Sequence, residues 1–308
     1  MLPPSFTLSR NLLDSVKVDM ASRNSIRVAP LTSSIGAEVP DLDLNAVDDA
    51  QCLEIRSALS DHGVLVFRDQ VMSEDEQCAF GARFGPSHGH PVRQFLKGGE
   101  PNHPLELVEN HADKPPQEDQ NFHTDYSFNT VIPDLAILRA DVIPSRGGDT
   151  IWSSTIASYE GLSSPVKGLI DGLVALHEPS ERFWFEYARV LGEESVQKAR
   201  KAFPGAEHPV VECHPFTGRP LLFVNCGYTT RILGVTPRES RSLLNMLFDQ
   251  LKDPAFHYRH KWRPGDVVMW DEHSTVHMGP HDFFPEHRRL TRVTAGYRAP
   301  TRVPVLAA

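Results

Sequence analysis

Eight short runs of strand-forming residues crowd the stretch between positions 135 and 296. They fall at 135–142, 149–152, 173–178, 210–214, 221–225, 256–262, 266–271 and 289–296. A doubly wound α/β sheet needs strands and helices in regular alternation, and these runs lack it. The pattern predicts an antiparallel sandwich or barrel with helices packed on the outside. Proline supports this: 25 of the 308 residues are Pro, against a usual ~5%, which favours many loops between short strands. Upstream, 26–28 reads as a short strand. Asn45 caps a helix that runs to residue 61 and is closed by Gly63, and 64–67 is a buried strand. Ser73 and Glu76 form a capping box for a helix reaching residue 84. The polar, Pro-rich stretch 86–121 reads as one long irregular loop. A hairpin turn is expected at 216–220. Thr236-Pro237-Arg238-Glu239 opens the clearest helix, which runs to residue 252. Residues 1–25 are expected to be a loosely ordered extension before a single domain at 26–308.

Charge narrows the partners. Residues 1–150 carry 12 basic and 23 acidic side chains, and the whole chain has a net charge of −9. An acidic surface is a poor partner for nucleic acid. The cluster His287-Arg288-Arg289, with Arg292 and Arg298, stands out locally and suits a small anion. No apolar run reaches the ~18 residues that a membrane span needs. The N-terminus fits neither a signal nor a transit peptide. Cys52, Cys78, Cys213 and Cys226 show no CxxC spacing and read as small buried hydrophobes in a reducing compartment. A cytoplasmic protein is expected. No GxGxxG or P-loop is present, so dinucleotide and nucleoside triphosphate binding lose support.

The chemistry gathers around histidine. In Asn121-Phe122-His123-Thr124-Asp125, His123 and Asp125 are two apart, so on a strand they share a face. His277 follows 154 positions later, just past a predicted strand. Two His and one carboxylate form a facial triad that leaves three coordination positions open, the geometry of non-haem Fe(II). A zinc-type pair, His273 with His277 or His277 with His281, is the alternative, although Gly279-Pro280 opposes a helix there and HExxH is absent.

The neighbours of these residues resemble the taurine dioxygenase (TauD/TfdA) family of Fe(II)/2-oxoglutarate-dependent oxygenases. The landmarks are Val66-Phe67-Arg68-Asp69-Gln70, Arg83-Phe84-Gly85, His88-Gly89-His90-Pro91, Phe122-His123-Thr124-Asp125, Gly147-Gly148-Asp149-Thr150, Phe223-Val224-Asn225, Thr229-Thr230-Arg231, Trp270-Asp271 with His277, and the run from Arg288 to Thr294. The resemblance spans residues 26–298. It implies a mainly β fold with flanking helices around a double-stranded β-helix (jelly-roll, cupin-like) core. It also implies His123, Asp125 and His277 as iron ligands, with Thr150 and Arg288 on the far carboxylate of 2-oxoglutarate. His90 and Arg292 match positions that hold the substrate sulfonate. Arg93, Asp119 and Tyr228 stand where the taurine enzymes carry Tyr, Asn and Phe. Arg93 would favour a more anionic substrate, Asp119 would take an ammonium group, and Tyr228 adds a hydroxyl. The aromatic run Phe183-Trp184-Phe185 falls where the family has a variable lid.

The implied reaction couples decarboxylation of 2-oxoglutarate by O₂ to hydroxylation of a small anionic substrate. A taurine-type sulfonate leads, with alkyl sulfates and aryloxyalkanoates as alternatives within the family. Loss of the headgroup or ether cleavage would follow. The protein is expected to be a homo-oligomer, dimer or tetramer. Two readings from other classes stay open: a metal-dependent hydrolase, which would turn over without O₂, and a catalytically silent binding protein on the same fold.

Overall fold

The computed structural model describes residues 25–95, 103–114, 116 and 121–303, leaving out the side chains of residues 93, 190 and 191. Most of the extension expected at 1–25 therefore lies outside the described residues. The chain enters through β1 (Ala29–Pro30), β2 (Ala37–Glu38), α1 (Asp49–His62) and β3 (Val64–Phe67). Helix α2 (Glu74–Ala82) and a 3-10 turn (Pro91–Phe95) precede β4 (Leu105–Asn110) and the long β5 (Ile132–Val142). Then come β6 (Thr150–Ser154), α3 (Thr155–Glu160), α4 (Ser164–Ile170) and β7 (Val174–His177). Helices α5 (Glu181–Leu191) and α6 (Glu193–Ala202) lead to β8 (Ala206–Pro209), β9 (Val211–Cys213), β10 (Pro220–Leu222) and β11 (Thr229–Ile232). Helix α7 (Pro237–Leu251) is followed by β12 (His257–His260), β13 (Val267–Asp271), β14 (Thr275–Met278) and β15 (Arg288–Arg298).

Side chains alternate along the central strands, and each set buries against a different layer. The main sheet has the order β1-β2-β3-β13-β5-β15-β4. Leu65, Phe67, Leu135, Ile137, Val267 and Met269 face one way and pack with Ile55 and Leu59 of α1 and Phe80 of α2. Val64, Val66, Ala136, Leu138, Val268 and Trp270 face the other way, onto Trp152 of β6 and Tyr258 of β12. Burial on both faces explains why Val64-Leu65-Val66-Phe67 is a continuous apolar run rather than an alternating one. Strands β12, β6 and β14 form the facing sheet. These two sheets enclose the jelly-roll core, a double-stranded β-helix. Trp152 and Trp270, with ring centroids 5.6 Å apart, fill its centre, and burying each contributes roughly 4–6 kcal/mol of transfer free energy. A third sheet, β11-β7-β8, packs with α7 and the β9–β10 hairpin.

Several boundaries differ from expectation. The strand expected at 26–28 forms instead at Ala29–Pro30, while Ile26 and Val28 pack onto the core beside α1. Helix α1 starts later than Asn45. Asp48 is its cap, in a reciprocal capping box with Gln51, and Asn45 donates its side-chain amide to the Val71 carbonyl at 2.8 Å. Helix α2 stops at Ala82. The expected loop at 86–121 contains β4, an edge strand of the main sheet. The Ser73 and Thr236 caps form as expected. Of the four unpaired cysteines, Cys52 alone is fully buried; Cys78, Cys213 and Cys226 are half-buried. Among the described residues no helix is long and apolar enough to cross a membrane.

Helix α2 closes on the sheet at Gly81, where an added Cβ would lie 2.6 Å from Val293 Cγ1. Gly81→Ala should therefore destabilise by about 1–3 kcal/mol through overpacking. Gly168→Ala on α4, with nothing within 4 Å of the new atom, should be neutral or stabilising by up to ~1 kcal/mol. Thermal midpoints of the two variants check this. A Gly81→Ala midpoint equal to wild type would mean that the helix is free to move away.

Candidate functional site

Two histidines far apart in sequence meet through their backbones. His123 N–H donates to the His277 carbonyl at 3.0 Å, and His277 N–H donates to the His123 carbonyl at 2.8 Å. This bridge attaches the segment after β4 to β14, the outer strand of the smaller core sheet. It brings the two rings to a centroid distance of 4.3 Å. Asp125 Oδ1 lies 3.6 Å from His123 Nε2 and 3.9 Å from His277 Nε2. One ligand atom from each of the three residues lies within 4.8 Å of the others.

The donor set fits a divalent metal. His123 Nδ1 is 2.9 Å from the Asn121 carbonyl. The ring nitrogen facing a carbonyl carries the proton, which leaves the Nε2 lone pair for a metal. Burial, then the neighbouring His123, hold His277 well below the ordinary imidazole range, in the neutral, ligating form. Burial works to raise the Asp125 carboxyl, but Arg292, His277 and His123 outweigh it and hold it near a pKa of about 2. Two neutral imidazoles and one carboxylate on a single face suit Fe(II). The zinc-type pair does not form, because 275–278 is a strand. His273 instead meets Glu212 at 2.7 Å and Asp134 at 3.5 Å, away from the triad.

Behind the triad, Asp125 N–H donates to Glu272 Oε2 at 3.0 Å, and Trp270 Nε1–H donates to Glu272 Oε1 at 2.7 Å. Burial, then the charge of Asp125, push the Glu272 carboxyl up. Glu272 thus ties the loop carrying Asp125 to the core sheet. It had no assigned role in the sequence, although it lies inside the Trp270–His277 motif.

Arg288 and Arg292 lie four residues apart on β15 and have opposite environments. Arg288 is buried, donates through Nε to the Gly148 carbonyl at 2.9 Å, and reaches Thr150 Oγ1 at 3.5 Å through Nη2. Among the described residues it forms no ion pair. Burial pulls its pKa down to about 10. Trp262 Nε1–H donates to Thr150 Oγ1 at 3.0 Å, so the Thr150 hydroxyl proton is left for another acceptor. A buried, uncompensated guanidinium beside a free hydroxyl donor fits a carboxylate. Gly148 is required here: its φ is +70° and a Cβ would come 3.1 Å from Arg288 Cδ.

Arg292 is compensated twice. Its Nη1 donates to Asp125 Oδ2 at 2.5 Å, and Nη2 and Nε donate to Glu106 Oε2 at 2.8 and 3.3 Å. Tyr126 O–H donates to the same Glu106 oxygen at 3.1 Å. Burial works to raise Glu106, but Arg292 holds it below the ordinary carboxylate range. Glu106 escaped the sequence reading because β4 did; the Leu105-Glu106-Leu107 alternation was its one signal.

His90 is buried and accepts from Val92 N–H through Nδ1 at 3.2 Å. Its Nε2 meets Tyr187 Oη on α5 at 2.8 Å. Tyr187 also went unread; its ring lies 4.5 Å from that of Phe183, one helical turn before it. Tyr228 stands edge-on to His123, with ring centroids 6.2 Å apart, and packs on Phe128 at 5.1 Å. The aromatic run Phe183-Trp184-Phe185 lies on α5, the first of the helix pair α5–α6. Arg93 falls on the 3-10 turn with its side chain outside the described residues, and Asp119 lies outside them altogether.

A sequence model of the family described as "Taurine catabolism dioxygenase TauD, TfdA family" matches residues 27–294. An alkylsulfatase of Acinetobacter baylyi is 32% identical over 87% of this chain and 84% of its own length. An alpha-ketoglutarate-dependent sulfate ester dioxygenase of Pseudomonas putida is 31% identical over 90% of this chain and 91% of its own. The crystal structure of a taurine dioxygenase from Burkholderia xenovorans superposes with a TM-score of 0.74 at 34% identity, covering 90% of this chain and 91% of that one.

Alanine at His123, Asp125 or His277 should weaken Fe(II) or Mn(II) binding beyond the roughly 10–100-fold that changing a supporting residue costs. Glu272→Gln should fall within that range. Titration calorimetry under argon reads both. An alanine variant that binds metal like wild type removes its residue from the donor set.

Proposed function

The chain belongs to the taurine catabolism dioxygenase TauD, TfdA family, and on that premise we propose that His123, Asp125 and His277 hold its iron while Arg288 and Thr150 hold its 2-oxoglutarate. It is an oxidoreductase, a 2-oxoglutarate-dependent dioxygenase that uses Fe(II) and O₂. The observation that carries the co-substrate assignment is Arg288, a buried cation without a carboxylate partner among the described residues, set beside a threonine hydroxyl with a proton to give.

When bound, the iron supplies the redox chemistry by which O₂ and 2-oxoglutarate become succinate and CO₂ and one oxygen atom enters a substrate C–H bond. The protein's own part is positioning and exclusion of water. Asp125 divides its two oxygens: Oδ1 faces the imidazoles and Oδ2 is held by Arg292. The guanidinium of Arg288 and the hydroxyl of Thr150 orient the far carboxylate. Phe283, with its ring centroid 5.6 Å from the Arg288 guanidinium, shields that end from solvent.

The substrate we propose is a small organic anion, a sulfonate or sulfate ester before a carboxylate, in line with the alkylsulfatase, sulfate ester dioxygenase and taurine dioxygenase relatives. Hydroxylation of the carbon bearing the sulfur or ester oxygen gives an adduct that collapses to a carbonyl compound, releasing sulfite or sulfate. His90, Arg292 and Tyr228 surround the position of the headgroup, with Arg93 and Asp119 as further candidates. His90 acts through Tyr187, since the two are hydrogen-bonded.

Succinate should form only with Fe(II), 2-oxoglutarate, O₂ and an organic anion all present. Arg288→Ala should raise the 2-oxoglutarate requirement about 30-fold or more, because a desolvated charged pair is worth on the order of 2–5 kcal/mol. Metal affinity should stay unchanged. Thr150→Val should act in the same direction by about tenfold, one hydrogen bond to a charged group. Substrate conversion without O₂ would replace the oxygenase reading with a hydrolase. An unchanged 2-oxoglutarate requirement in Arg288→Ala would move the co-substrate elsewhere.

A further inference from the structure

The buried hydroxyl of Thr150 accepts two hydrogen bonds. Trp262 Nε1–H donates to Oγ1 at 3.0 Å, and Arg288 Nη2–H donates to the same oxygen at 3.5 Å. A hydroxyl has one proton and two lone pairs, and these two donors fill both lone pairs. Neither donor can take the proton in return, because an indole N–H and a guanidinium only donate. The Thr150 proton must therefore point at a third group. A hydroxyl that accepts twice is also polarised, which strengthens the one bond it gives.

Trp262 reaches Thr150 because of strand register. β12 pairs with β6 so that His260 stands opposite Thr150. Trp262 follows two residues later and takes the diagonal position, a span that an aromatic side chain covers. Its ring is wedged edge-on against His260, with centroids 4.6 Å apart at an interplanar angle of 83°. His260 is fixed at both nitrogens, by Tyr258 Oη at 2.8 Å from Nδ1 and by Asp266 Oδ2 at 3.0 Å from Nε2. Asp266 Oδ2 accepts in addition from Arg68 Nη1 at 2.5 Å and from Arg263 N–H at 2.8 Å. The indole is buried among these groups and has no room to swing away. None of them belongs to the His123–Asp125–His277 triad.

We propose that Trp262 is a positioning residue that aims the Thr150 hydroxyl proton at the far carboxylate of 2-oxoglutarate, with the His260–Asp266 pair as its strut. The proposal rests on the assignment of that carboxylate to Arg288 and Thr150. A hydroxyl left free to rotate would be ordered only when the co-substrate arrives, at a cost to affinity; the indole N–H sets its direction beforehand. Tryptophan suits the position because its N–H cannot accept. A histidine or asparagine there would offer the Thr150 proton a competing acceptor. The benefit is confined to ligands that carry a far carboxylate, and this separates positioning from packing.

The test replaces the indole at position 262 with the benzothiophene of β-(3-benzothienyl)alanine, which keeps the shape and lacks the N–H. Trp262→Phe is the genetic counterpart. Two ligands are titrated into Mn(II)-loaded protein by calorimetry under argon: 2-oxoglutarate, and 2-oxobutanoate, a 2-oxo acid without the far carboxylate. The readout is the ratio of their affinities. Both replacements should lower the ratio about three- to tenfold, approaching the effect of Thr150→Val. Affinities for 2-oxobutanoate and Mn(II) should stay at the wild-type level. In Thr150→Val protein the same replacements should change the ratio by less than about twofold, since the hydroxyl they act through is gone. A ratio that survives loss of the N–H overturns the proposal. So does an equal weakening of both acids, which would make Trp262 a packing residue, or an effect that persists undiminished in Thr150→Val. Arg288→Ala and Thr150→Val in the otherwise wild-type chain report the underlying assignment. If they leave the ratio unchanged, the far carboxylate lies elsewhere and both readings fail. If they lower it and loss of the indole N–H does not, the role of Trp262 alone fails.

Discussion

Two reciprocal backbone hydrogen bonds between His123 and His277 hold together residues separated by 154 positions. The site depends on that pair. Side chains are only as well placed as the backbone beneath them, and here the segment carrying His123 and Asp125 is bonded to the strand carrying His277. Strand β14 is in turn fixed by β6, with His277 opposite Trp152, the large residue at the centre of the core. The turn before β14 is pinned as well: Asp271 Oδ1 accepts from the N–H groups of His273 and Ser274 at 3.0 and 2.8 Å, and His214 bonds the other oxygen at 3.1 Å. Burying this many ionisable groups is costly unless each has a partner. The partners double as the scaffold that fixes the direction in which His277 points.

Strand register also decides the electrostatics. β15 pairs with β4 so that Arg288 stands opposite Asn110 and Arg292 opposite Glu106. A neutral residue faces the first arginine and a carboxylate faces the second. Shifting the pairing by one residue would turn each side chain to the other face of the sheet. Both arginines therefore owe their environments to a long-range alignment of two strands and not to any local motif.

This accounts for what could be read in the sequence. His123 and Asp125 were legible as an H-x-D pair, although they do not share the face of a strand: His123 forms an isolated bridge to His277 and Asp125 lies in the turn that follows. His277 was legible because it lies just past a strongly apolar strand. Arg288 and Thr150 became readable only through resemblance, since nothing local distinguishes a buried arginine from a solvated one. β4 was missed because an edge strand with half-exposed side chains breaks the apolar run that marks a strand, and the surrounding Pro and His residues suggest a loop. Glu106 was lost with it. Tyr187 was missed because its partner, His90, lies 97 positions away. The late start of α1 has a local cause: Asn45 and Asp48 are both good caps, and Asp48 prevails because Gln51 completes its capping box while Asn45 is engaged by Val71.

On the proposed assignment, the two arginines would sort two anions that otherwise compete. 2-Oxoglutarate and an organic sulfonate both carry acidic groups, and both must reach a site with two guanidinium groups within a few residues of each other. If both arginines were uncompensated, a dianion would bridge or exchange between them, and the substrate would occupy the co-substrate position for part of the time. Compensating only Arg292 removes that ambiguity. The stronger field remains at Arg288, deep beside Gly148 and Thr150, where the far carboxylate of the proposed co-substrate would meet a buried cation and a hydroxyl donor. On that assignment one carboxylate on a sheet edge distinguishes the two arginines, because the cation it neutralises is the one that also holds Asp125.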